Sequence, residues 1–460
     1  MEAWQQPAID YIRDWLQFQM RVSEQPGCIL AIAYRDKIVA EEAFGVANLA
    51  TGEKLTPRHR FRVASHSKSF TATGLMRLRE QRRLRLDDPV GDYVTGLHPA
   101  VAAATLGQLM SHSAGLVRDG LAAGQFTERR PFVSTEELLA DLRAAPPIES
   151  GSRFKYSNHG YGLLGLVIEA ITGEPYRAFI EREVIEAAGL KATQSDMPLA
   201  KGTPFARGHS SKIPAGRRLV IPGEYQENAI APAGGVISTA ADLARFFAQL
   251  APKAKRSVLS AASRREMVRK HWRNPHAALE SHYGLGIMSG SIAGWDNFGH
   301  SGGLQGYISR TCVIPACELT ITVLTNANDG WALPWAEGAM QILRAFADRG
   351  APQRRLRDWR GRWWGNGGAL DLVPIGGRVV VGNPHAINPF MDASEIEVSG
   401  RDKGRIALAA GYASHGEPVR RLRSRTGKVT SVWFAGSEVR SEKVVAAAML
   451  RRYARTRTKR

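Results

Sequence analysis

Residues 61–72 read Phe61-Arg62-Val63-Ala64-Ser65-His66-Ser67-Lys68-Ser69-Phe70-Thr71-Ala72. They place the hydroxyl of Ser65 and the amine of Lys68 three residues apart at the start of an apolar-periodic run. On a helix, side chains at i and i+3 share a face and lie within contact reach, so the amine can take the hydroxyl proton during attack on a carbonyl. The spacing predicts Ser65 as a covalent nucleophile. A solvent-exposed polar helix start has the same pattern, because serine and lysine are common residues.

A second pattern is Tyr156-Ser157-Asn158, in a turn-rich segment just before the helix-like apolar run of residues 161–171. A tyrosine hydroxyl whose pKa is lowered by a neighbouring ammonium can shuttle protons. An asparagine side chain can hold both a lysine amine and a substrate amide. We therefore predict Tyr156 as a catalytic acid and base, and Asn158 as a substrate-binding residue.

The third pattern is His300-Ser301-Gly302-Gly303, at the entrance to an apolar strand pattern. In order and separation, the three patterns resemble the Ser-x-x-Lys, Tyr-x-Asn and Lys-Thr-Gly signatures of the penicillin-recognising serine hydrolases. Because its first residue is a tyrosine, the second pattern resembles that of the class C branch. This branch comprises class C β-lactamases, D-alanyl-D-alanine carboxypeptidases, D-aminopeptidases and related esterases. Residues 109–116 and 232–243 also resemble that branch, and the resemblance extends over about residues 10 to 345.

The resemblance implies an α+β fold with a β-lactamase/transpeptidase-like catalytic domain, in which helices flank an antiparallel sheet. Strand patterns at both ends of this region support that fold. They predict a hairpin of residues 28–34 and 38–46 at one end and strands at 307–313 and 319–324 at the other, with helices between them. The resemblance also implies an acyl-enzyme on Ser65, with the backbone N–H groups of Ser65 and Gly303 holding the oxyanion. Gly302 is expected to permit close approach of an extended substrate.

The third pattern departs from the family where a lysine is usual, because this chain has His300. A neutral imidazole attracts a carboxylate less than an ammonium does. We therefore predict hydrolysis of short peptides or amides, as in D-aminopeptidases, with His300, Gly302 and Gly303 binding the substrate. A carboxylesterase, a β-lactamase or DD-carboxypeptidase-like hydrolase, and a non-catalytic acyl-binding sensor stay open as alternatives.

A competing nucleophile is Ser301, because residues 299–303 match Gly-x-Ser-x-Gly, the nucleophile elbow of α/β-hydrolases. An elbow requires a strand before the serine and a helix after it. The sequence after Ser301 continues as a strand pattern, which favours Ser301 as the middle of the third motif.

Beyond residue 350 the sequence changes to short alternating strand patterns separated by glycine and asparagine, which predict a small all-β barrel-like domain. We place the catalytic domain at residues 1–350 and a basic, lipocalin-like β-barrel appendage with a basic tail at residues 351–460. The appendage contains 22 Lys and Arg and 9 Asp and Glu, so it carries +13 of the total net charge of +19. No aromatic stacking platform accompanies the tail, so a solvated tail is favoured over nucleic-acid binding.

The remaining composition is typical of a globular enzyme: 44% of the residues are hydrophobic and 8% aromatic. Residues 1–25 lack the apolar segment of a secretory signal, and no run suits a bilayer span, which predicts a cytoplasmic protein without a membrane partner. Three cysteines provide no disulfide framework, and no metal-ligand spacing occurs. We expect no cofactor and no metal, a small-molecule or short-peptide substrate, and leave a homo-oligomer open.

Overall fold

A computed structural model describes residues 1–120, 123–127, 129–144, 146–148, 150–151, 153–213, 216–275, 277, 280–409 and 414–454. These residues form helices and strands with the following bounds. The helices are α1 Gln5–Ser23, α2 Ser67–Glu80, α3 Pro99–Ala102, α4 Leu106–Met110, α5 Thr135–Ala144, α6 Asn158–Thr172, α7 Tyr176–Ile180, α8 Ala231–Gly234, α9 Ala240–Gln249, α10 Ala261–Val268, α11 Ala332–Arg349 and α12 Glu442–Tyr453. The strands are β1 Gly27–Tyr34, β2 Lys37–Asn48, β3 Glu53–Lys54, β4 Phe61–Arg62, β5 Gly208–His209, β6 Val220–Ile221, β7 Ile237–Ser238, β8 Trp272–Arg273, β9 Ser281–Tyr283, β10 Met288–Ile292, β11 Trp295–Leu304, β12 Tyr307–Ile314, β13 Leu319–Thr325, β14 Gly361–Gly365, β15 Gly368–Ile375, β16 Arg378–Gly382, β17 Ser394–Gly400, β18 Lys403–Leu408, β19 Pro418–Arg423, β20 Val429–Phe434 and β21 Ser437–Arg440.

The chain divides into two compact units, residues 24–336 and residues 1–23 with 337–460. The first unit contains a nine-stranded sheet in the order β3-β2-β1-β13-β12-β11-β10-β9-β8, and every neighbouring pair is antiparallel. Strands from the two ends of the unit meet at its centre, where β1 pairs with β13, as the strand patterns predicted. The domain boundary predicted at residue 350 stays a prediction.

Helix α2 carries Lys68 and is buried along most of its length. Between Ser67 and Leu78 every residue is buried except Arg77, which is partly exposed. A helix buried on every side needs partners all around it. The ring of Phe70 on α2 stacks on Phe246 of α9, with ring centroids 3.9 Å apart. Helix α9 in turn packs against β1 and β13, so α2 is held to the central strands through α9.

The second unit contains strands β14 to β21, which close into a barrel in sequential order. An eight-stranded barrel is just wide enough to be filled by its own side chains. Its core includes Leu356 and Trp359 from the turn that precedes β14, and the guanidinium of Arg421 lies 4.3 Å from the Trp359 ring centroid. The predicted fold class is confirmed for both parts: a β-lactamase-like mixed domain and a C-terminal β-barrel.

The predicted basic tail is described only as far as residue 454, and residues 455–460 lie outside the described residues. Helix α12, which precedes them, has no buried residue. Among the described helices, none combines the length and the apolar run that a bilayer crossing needs.

Candidate active site

The predicted nucleophile Ser65 lies in a 3₁₀ turn, Ala64–His66, that leads directly into α2. Ser65 is partly exposed, whereas its neighbours from Phe61 to Ala72 are all buried. Ala64 adopts a φ of +50°, a left-handed conformation that is costly for a residue with a Cβ. The Ser67 hydroxyl stabilises this turn by donating to the Ala64 carbonyl at 2.7 Å. The turn thus presents the Ser65 hydroxyl at the N-terminal end of a buried helix.

Lys68 has a completely buried side chain, and its amine contacts the predicted nucleophile. The Nζ atom lies 3.1 Å from Ser65 Oγ and donates to Asn158 Oδ1 and the Ala233 carbonyl, each at 2.8 Å. Burial lowers the pKa of Lys68 to about 7, while the carboxylates of Glu227 and Asp119 act in the opposite direction. At neutral pH a substantial fraction of this amine is therefore uncharged and can accept a proton.

Asn158 is the first residue of α6, and the local capping fixes its position. The Ser157 hydroxyl accepts a hydrogen bond from Gly160 N at 2.9 Å and donates to the Val117 carbonyl at 2.6 Å. The Asn158 Nδ2 group donates to Asp119 Oδ1 at 2.5 Å, which turns its carbonyl oxygen toward Lys68. The sequence analysis did not identify Asp119 as the residue that orients this amide.

Tyr156 lies over the same amine, with Lys68 Nζ 4.7 Å from its ring centroid. Its phenol interacts with the Ser65 hydroxyl. Burial of the phenol raises the pKa of Tyr156, although the contacts with Ser65 and Arg118 lower it. The net direction is opposite to the lowered pKa that the sequence analysis expected, so Tyr156 is a neutral phenol at physiological pH.

His112 is a further residue at this site that was not predicted as functional. Its ring centroid lies 4.1 Å from that of Tyr156, and its Nδ1 accepts a hydrogen bond from Ser157 N at 3.1 Å. Its Nε2 is buried without a hydrogen-bond partner among the described residues. Burial lowers the pKa of His112 well below its usual value, with a further contribution from Lys68. A neutral His112 ring therefore packs against the Tyr156 ring. The only sequence indication of this residue was that it belongs to the segment of residues 109–116, which resembles the family.

The third motif lies in β11 and forms an open strand edge. Strand β10 pairs with β11 only as far as the Met288–Gly299 pair, so residues 300–304 pair with β12 alone in the described part of the sheet. Gly303 is exposed, and a Cβ built there would meet only Ile308 Cδ1, at 3.5 Å. This edge has room for an extended backbone beside Gly303.

Gly302 allows a close approach of the protein to itself. A Cβ at Gly302 would lie 2.2 Å from the Val63 carbonyl oxygen and 3.1 Å from Ala64 Cβ. The absent side chain thus lets the segment just before Ser65 pack against β11. The space that the sequence analysis assigned to a substrate is filled by Val63, and the role of Gly302 in substrate binding stays a prediction.

His300 is brought into the same group, but both of its ring nitrogens are hydrogen-bonded within the protein. Its Nδ1 lies 2.6 Å from the Ser301 carbonyl and its Nε2 2.9 Å from the Tyr283 hydroxyl. The ring is 1% exposed, and burial lowers the pKa of His300 well below its usual value. A neutral His300 that donates its Nδ1–H to the Ser301 carbonyl can accept a hydrogen bond at Nε2 from the Tyr283 hydroxyl. The Tyr283 ring in turn contacts the rings of His112 and Tyr156.

Ser301, the competing nucleophile, lies in the middle of β11. Its hydroxyl lies 3.5 Å from the Met288 sulfur, and the chain continues as strand to Leu304, then turns into β12. No helix follows the serine, so the nucleophile-elbow geometry is not met.

A buried pair, Arg62 and Glu227, lies close enough to Lys68 to affect its pKa and was also missed by the sequence analysis. Glu227 Oε1 lies 3.3 Å from Arg62 Nη1, and both side chains are fully buried. Burial raises the pKa of Glu227 to about 8, against the opposing effect of Arg62. A Cβ on Gly234 would lie 2.2 Å from Glu227 Oε2, which puts this carboxyl beside the loop whose Ala233 carbonyl binds Lys68.

Among the described residues, no group of three or more His, Cys, Asp or Glu side chains is arranged to hold a metal ion.

The family model described as Beta-lactamase matches residues 13–339. The chain belongs to the beta-lactamase family. This confirms the predicted membership of the penicillin-recognising serine hydrolases. It also confirms the prediction that the protein is an enzyme of the serine hydrolase class.

Curated relatives resemble this chain over about two thirds of its length. Penicillin-binding protein 4 of Amycolatopsis lactamdurans is 28% identical over 317 residues, which are 66% of this chain and 81% of that protein. Protein flp of Staphylococcus aureus is 23% identical over 326 residues, which are 68% of this chain and 62% of that protein.

Solved structures also resemble it. The D-stereospecific amidohydrolase from Streptomyces sp. superposes with a TM-score of 0.58 at 25% identity, over 68% of this chain and 93% of that one. The octameric penicillin-binding protein homologue from Pyrococcus abyssi has a TM-score of 0.65 at 23% identity, over 94% of this chain and 100% of that one. The second likeness extends through both compact units of the fold.

Proposed function

We propose that this enzyme hydrolyses short peptides or amides through an acyl-enzyme on Ser65, in the manner of a D-aminopeptidase or D-amino-acid amidase. The observation that carries the proposal is the buried amine of Lys68, which lies 3.1 Å from Ser65 Oγ and has a pKa lowered to about 7. Binding alone needs no proton acceptor beside a hydroxyl, which argues against the acyl-binding sensor.

In the proposed reaction, Ser65 Oγ bonds to the substrate carbonyl carbon while its proton passes to the uncharged Lys68 amine. The oxyanion accepts hydrogen bonds from the backbone N–H groups of Ser65 and Gly303. As the C–N bond breaks, the Tyr156 phenol gives its proton to the leaving amine and is reprotonated from the Lys68 ammonium. Water then attacks the ester on Ser65, and the same two groups return the proton to Ser65.

The preference for an amide is supported by the relative from Streptomyces, whose name is D-stereospecific amidohydrolase. It is supported further by His300, whose neutral ring offers no ammonium for a carboxylate beside the scissile bond. Asn158 is assigned to orienting Lys68 and the acyl-side amide, and Gly302 and Gly303 to the substrate-facing edge. A homo-oligomer is part of the proposal because the Pyrococcus abyssi homologue is described as octameric.

The test is a panel of p-nitroanilides of D- and L-amino acids, p-nitrophenyl esters and nitrocefin, followed by intact-mass analysis for an acyl adduct. Amide turnover with an adduct that Ser65→Ala abolishes and Ser301→Ala retains supports the proposal. Turnover of esters alone indicates a carboxylesterase, and preferred turnover of nitrocefin indicates a β-lactamase. An adduct on Ser301, or binding without any turnover, contradicts the proposal.

A further inference from the structure

His112 is a buried residue of the candidate active site to which the proposed reaction gives no role. It is 2% exposed and lies two residues after the end of α4. Its backbone φ is +59°, in the left-handed region that is costly for a residue with a Cβ. Its Nε2 is buried without a hydrogen-bond partner among the described residues. Two unfavourable features at one residue beside a reaction centre are typical of a functional constraint.

The residues on both sides of Tyr156 are hydrogen-bonded to His112. Lys155 N donates to the His112 backbone carbonyl at 2.7 Å, and Ser157 N donates to its Nδ1 at 3.1 Å. The carbonyl therefore holds the chain before Tyr156, and the imidazole holds it after Tyr156. Together they fix the backbone from which the phenol projects.

The His112 ring also packs against the Tyr156 ring itself. The two ring centroids are 4.1 Å apart, and the planes are inclined by 33°. The imidazole further contacts the rings of Tyr161 and Tyr283, at centroid distances of 5.1 and 4.6 Å, and that of Phe154 edge-on at 5.8 Å. Because close-packed neighbours surround it, the imidazole offers the Tyr156 ring a fixed surface.

The hydrogen bond from Ser157 also determines the state of the imidazole. A backbone amide can only donate, so His112 Nδ1 is unprotonated and the proton of the neutral ring is on Nε2. Burial lowers the pKa of His112 well below its usual value, so this neutral form persists at neutral pH.

The Tyr156 phenol needs such support because its position decides its reactivity. The phenol interacts with the Ser65 hydroxyl, and the proposed reaction requires it to reach the leaving amine as well. Misplacing a reacting group by about 1 Å can cost about 100-fold in rate.

We propose that His112 is a positioning residue that aims the Tyr156 phenol at the leaving amine. It does so through the hydrogen bond that its Nδ1 accepts from Ser157 N and through the packing of its ring on Tyr156. This inference rests on the proposed function, since it concerns how the proton donor of that reaction is held.

The first test measures the effect of His112→Phe in two backgrounds, wild type and Tyr156→Phe, on the amino-acid p-nitroanilide that wild type hydrolyses fastest. Phenylalanine keeps a ring but removes the acceptor for Ser157 N. In the wild-type background we expect kcat to fall at least about tenfold while KM stays within about threefold. In the Tyr156→Phe background, which has no phenol proton to aim, the loss should be below about threefold. A loss that is equal in both backgrounds, or no loss in either, overturns the proposal.

The second test is rescue by the conservative variant His112→Asn. The asparagine Oδ1 is an acceptor attached to Cγ, as Nδ1 is, and asparagine tolerates the left-handed backbone better than most residues. His112→Asn should therefore keep the hydrogen bond from Ser157 N, and its kcat should exceed that of His112→Phe at least about threefold. A His112→Asn variant no more active than His112→Phe contradicts the role of this hydrogen bond. If His112→Phe does not fold, His112→Gly replaces it, because glycine adopts the left-handed backbone without strain.

The matched control is His209→Phe. His209 is also fully buried, and its Nε2 accepts a backbone N–H, that of Leu49, at 3.1 Å. Its Nδ1 is hydrogen-bonded to the Asn326 carbonyl, so its hydrogen bonds involve no residue of the proposed reaction. We expect His209→Phe to lower the melting temperature and to keep kcat within about threefold of wild type. A loss of kcat as large as that of His112→Phe would indicate a general effect of removing a buried histidine and overturn the proposal.

The outcomes separate the two proposals. If Tyr156→Phe lowers amide turnover and His112→Phe acts equally in both backgrounds, the proposed function stands and the positioning role fails. If wild type hydrolyses no amide, the proposed function fails, and crystal structures of wild type and His112→Phe decide the inference. A displaced Tyr156 hydroxyl in the variant then supports it, and an unmoved one overturns it.

Discussion

The proposed activation of Ser65 depends on the charge state of Lys68, and substituting Lys68 by arginine tests this directly. Arginine keeps a long cationic side chain but does not lose its proton in proteins. We expect Lys68→Arg to fold and to lose acylation, because the guanidinium cannot accept the Ser65 proton. The wild-type rate should rise tenfold per pH unit below pH 7 and level off above it.

The magnitude follows from the lowered pKa. With a pKa of about 7, about half of the Lys68 amines are uncharged at pH 7. A lysine with an ordinary pKa near 10.4 has only about 1 uncharged amine in 2,500 at that pH, and an arginine far fewer. Burial therefore increases the fraction of active base by roughly three orders of magnitude. We expect Lys68→Arg to lose at least that factor.

The assay is the rate of acyl adduct formation, followed by rapid quenching and intact mass between pH 5 and 9 at constant ionic strength. Lys191→Arg, at an exposed position, serves as the control and should keep the wild-type profile. A wild-type rate that does not change between pH 5 and 8, or a Lys68→Arg variant within tenfold of wild type, would refute the assignment of Lys68 as the base.

Three further predictions follow from the same geometry. Tyr156→Phe should keep substrate binding and lower amide turnover by roughly two to four orders of magnitude, the usual loss for a general acid, which steady-state kinetics will measure. Gly302→Ala should lower thermal stability and acylation together, because its Cβ overlaps the Val63 carbonyl, whereas Gly303→Ala should keep the wild-type melting temperature. The free energy of unfolding of wild type, relative to Lys68→Met, should rise between about pH 7 and 10 by up to about 1.4 kcal/mol per pH unit. The reason is that in this pH range Lys68 is protonated in the unfolded chain and unprotonated in the folded one. Denaturant titrations that show no such slope would contradict the lowered pKa of Lys68.

Much of the fold could be predicted because its signals are local or carried by the family motifs. The hairpin of β1 and β2 and the strands β12 and β13 follow from alternating and apolar runs, and the structure confirms that they meet in one sheet. The barrel followed from short strand patterns separated by turn residues.

The residues that tune the site could not be predicted, because their contacts are distant in sequence. Glu227 lies 165 residues from its partner Arg62, and Asp119 lies 39 residues from Asn158. The direction of the Tyr156 pKa was wrong for a related reason. Spacing indicates which groups are near a phenol, but burial is known only from the packed structure, and here it outweighs the lowering effects of Ser65 and Arg118 on the Tyr156 pKa.

Burial shifts the pKa values of the two proposed proton-transfer groups in opposite directions, which fits the separate roles proposed for them. It lowers the pKa of Lys68 to about 7 and raises that of Tyr156, although free lysine and tyrosine titrate within about one pH unit of each other. Pairs of groups whose pKa values are driven apart commonly divide the tasks of base and acid. At neutral pH about half of the Lys68 amines are uncharged beside Ser65 and the Tyr156 phenol is uncharged, and in the molecules with an uncharged amine the ammonium forms as the oxyanion develops. Such a site favours an uncharged group at the scissile bond.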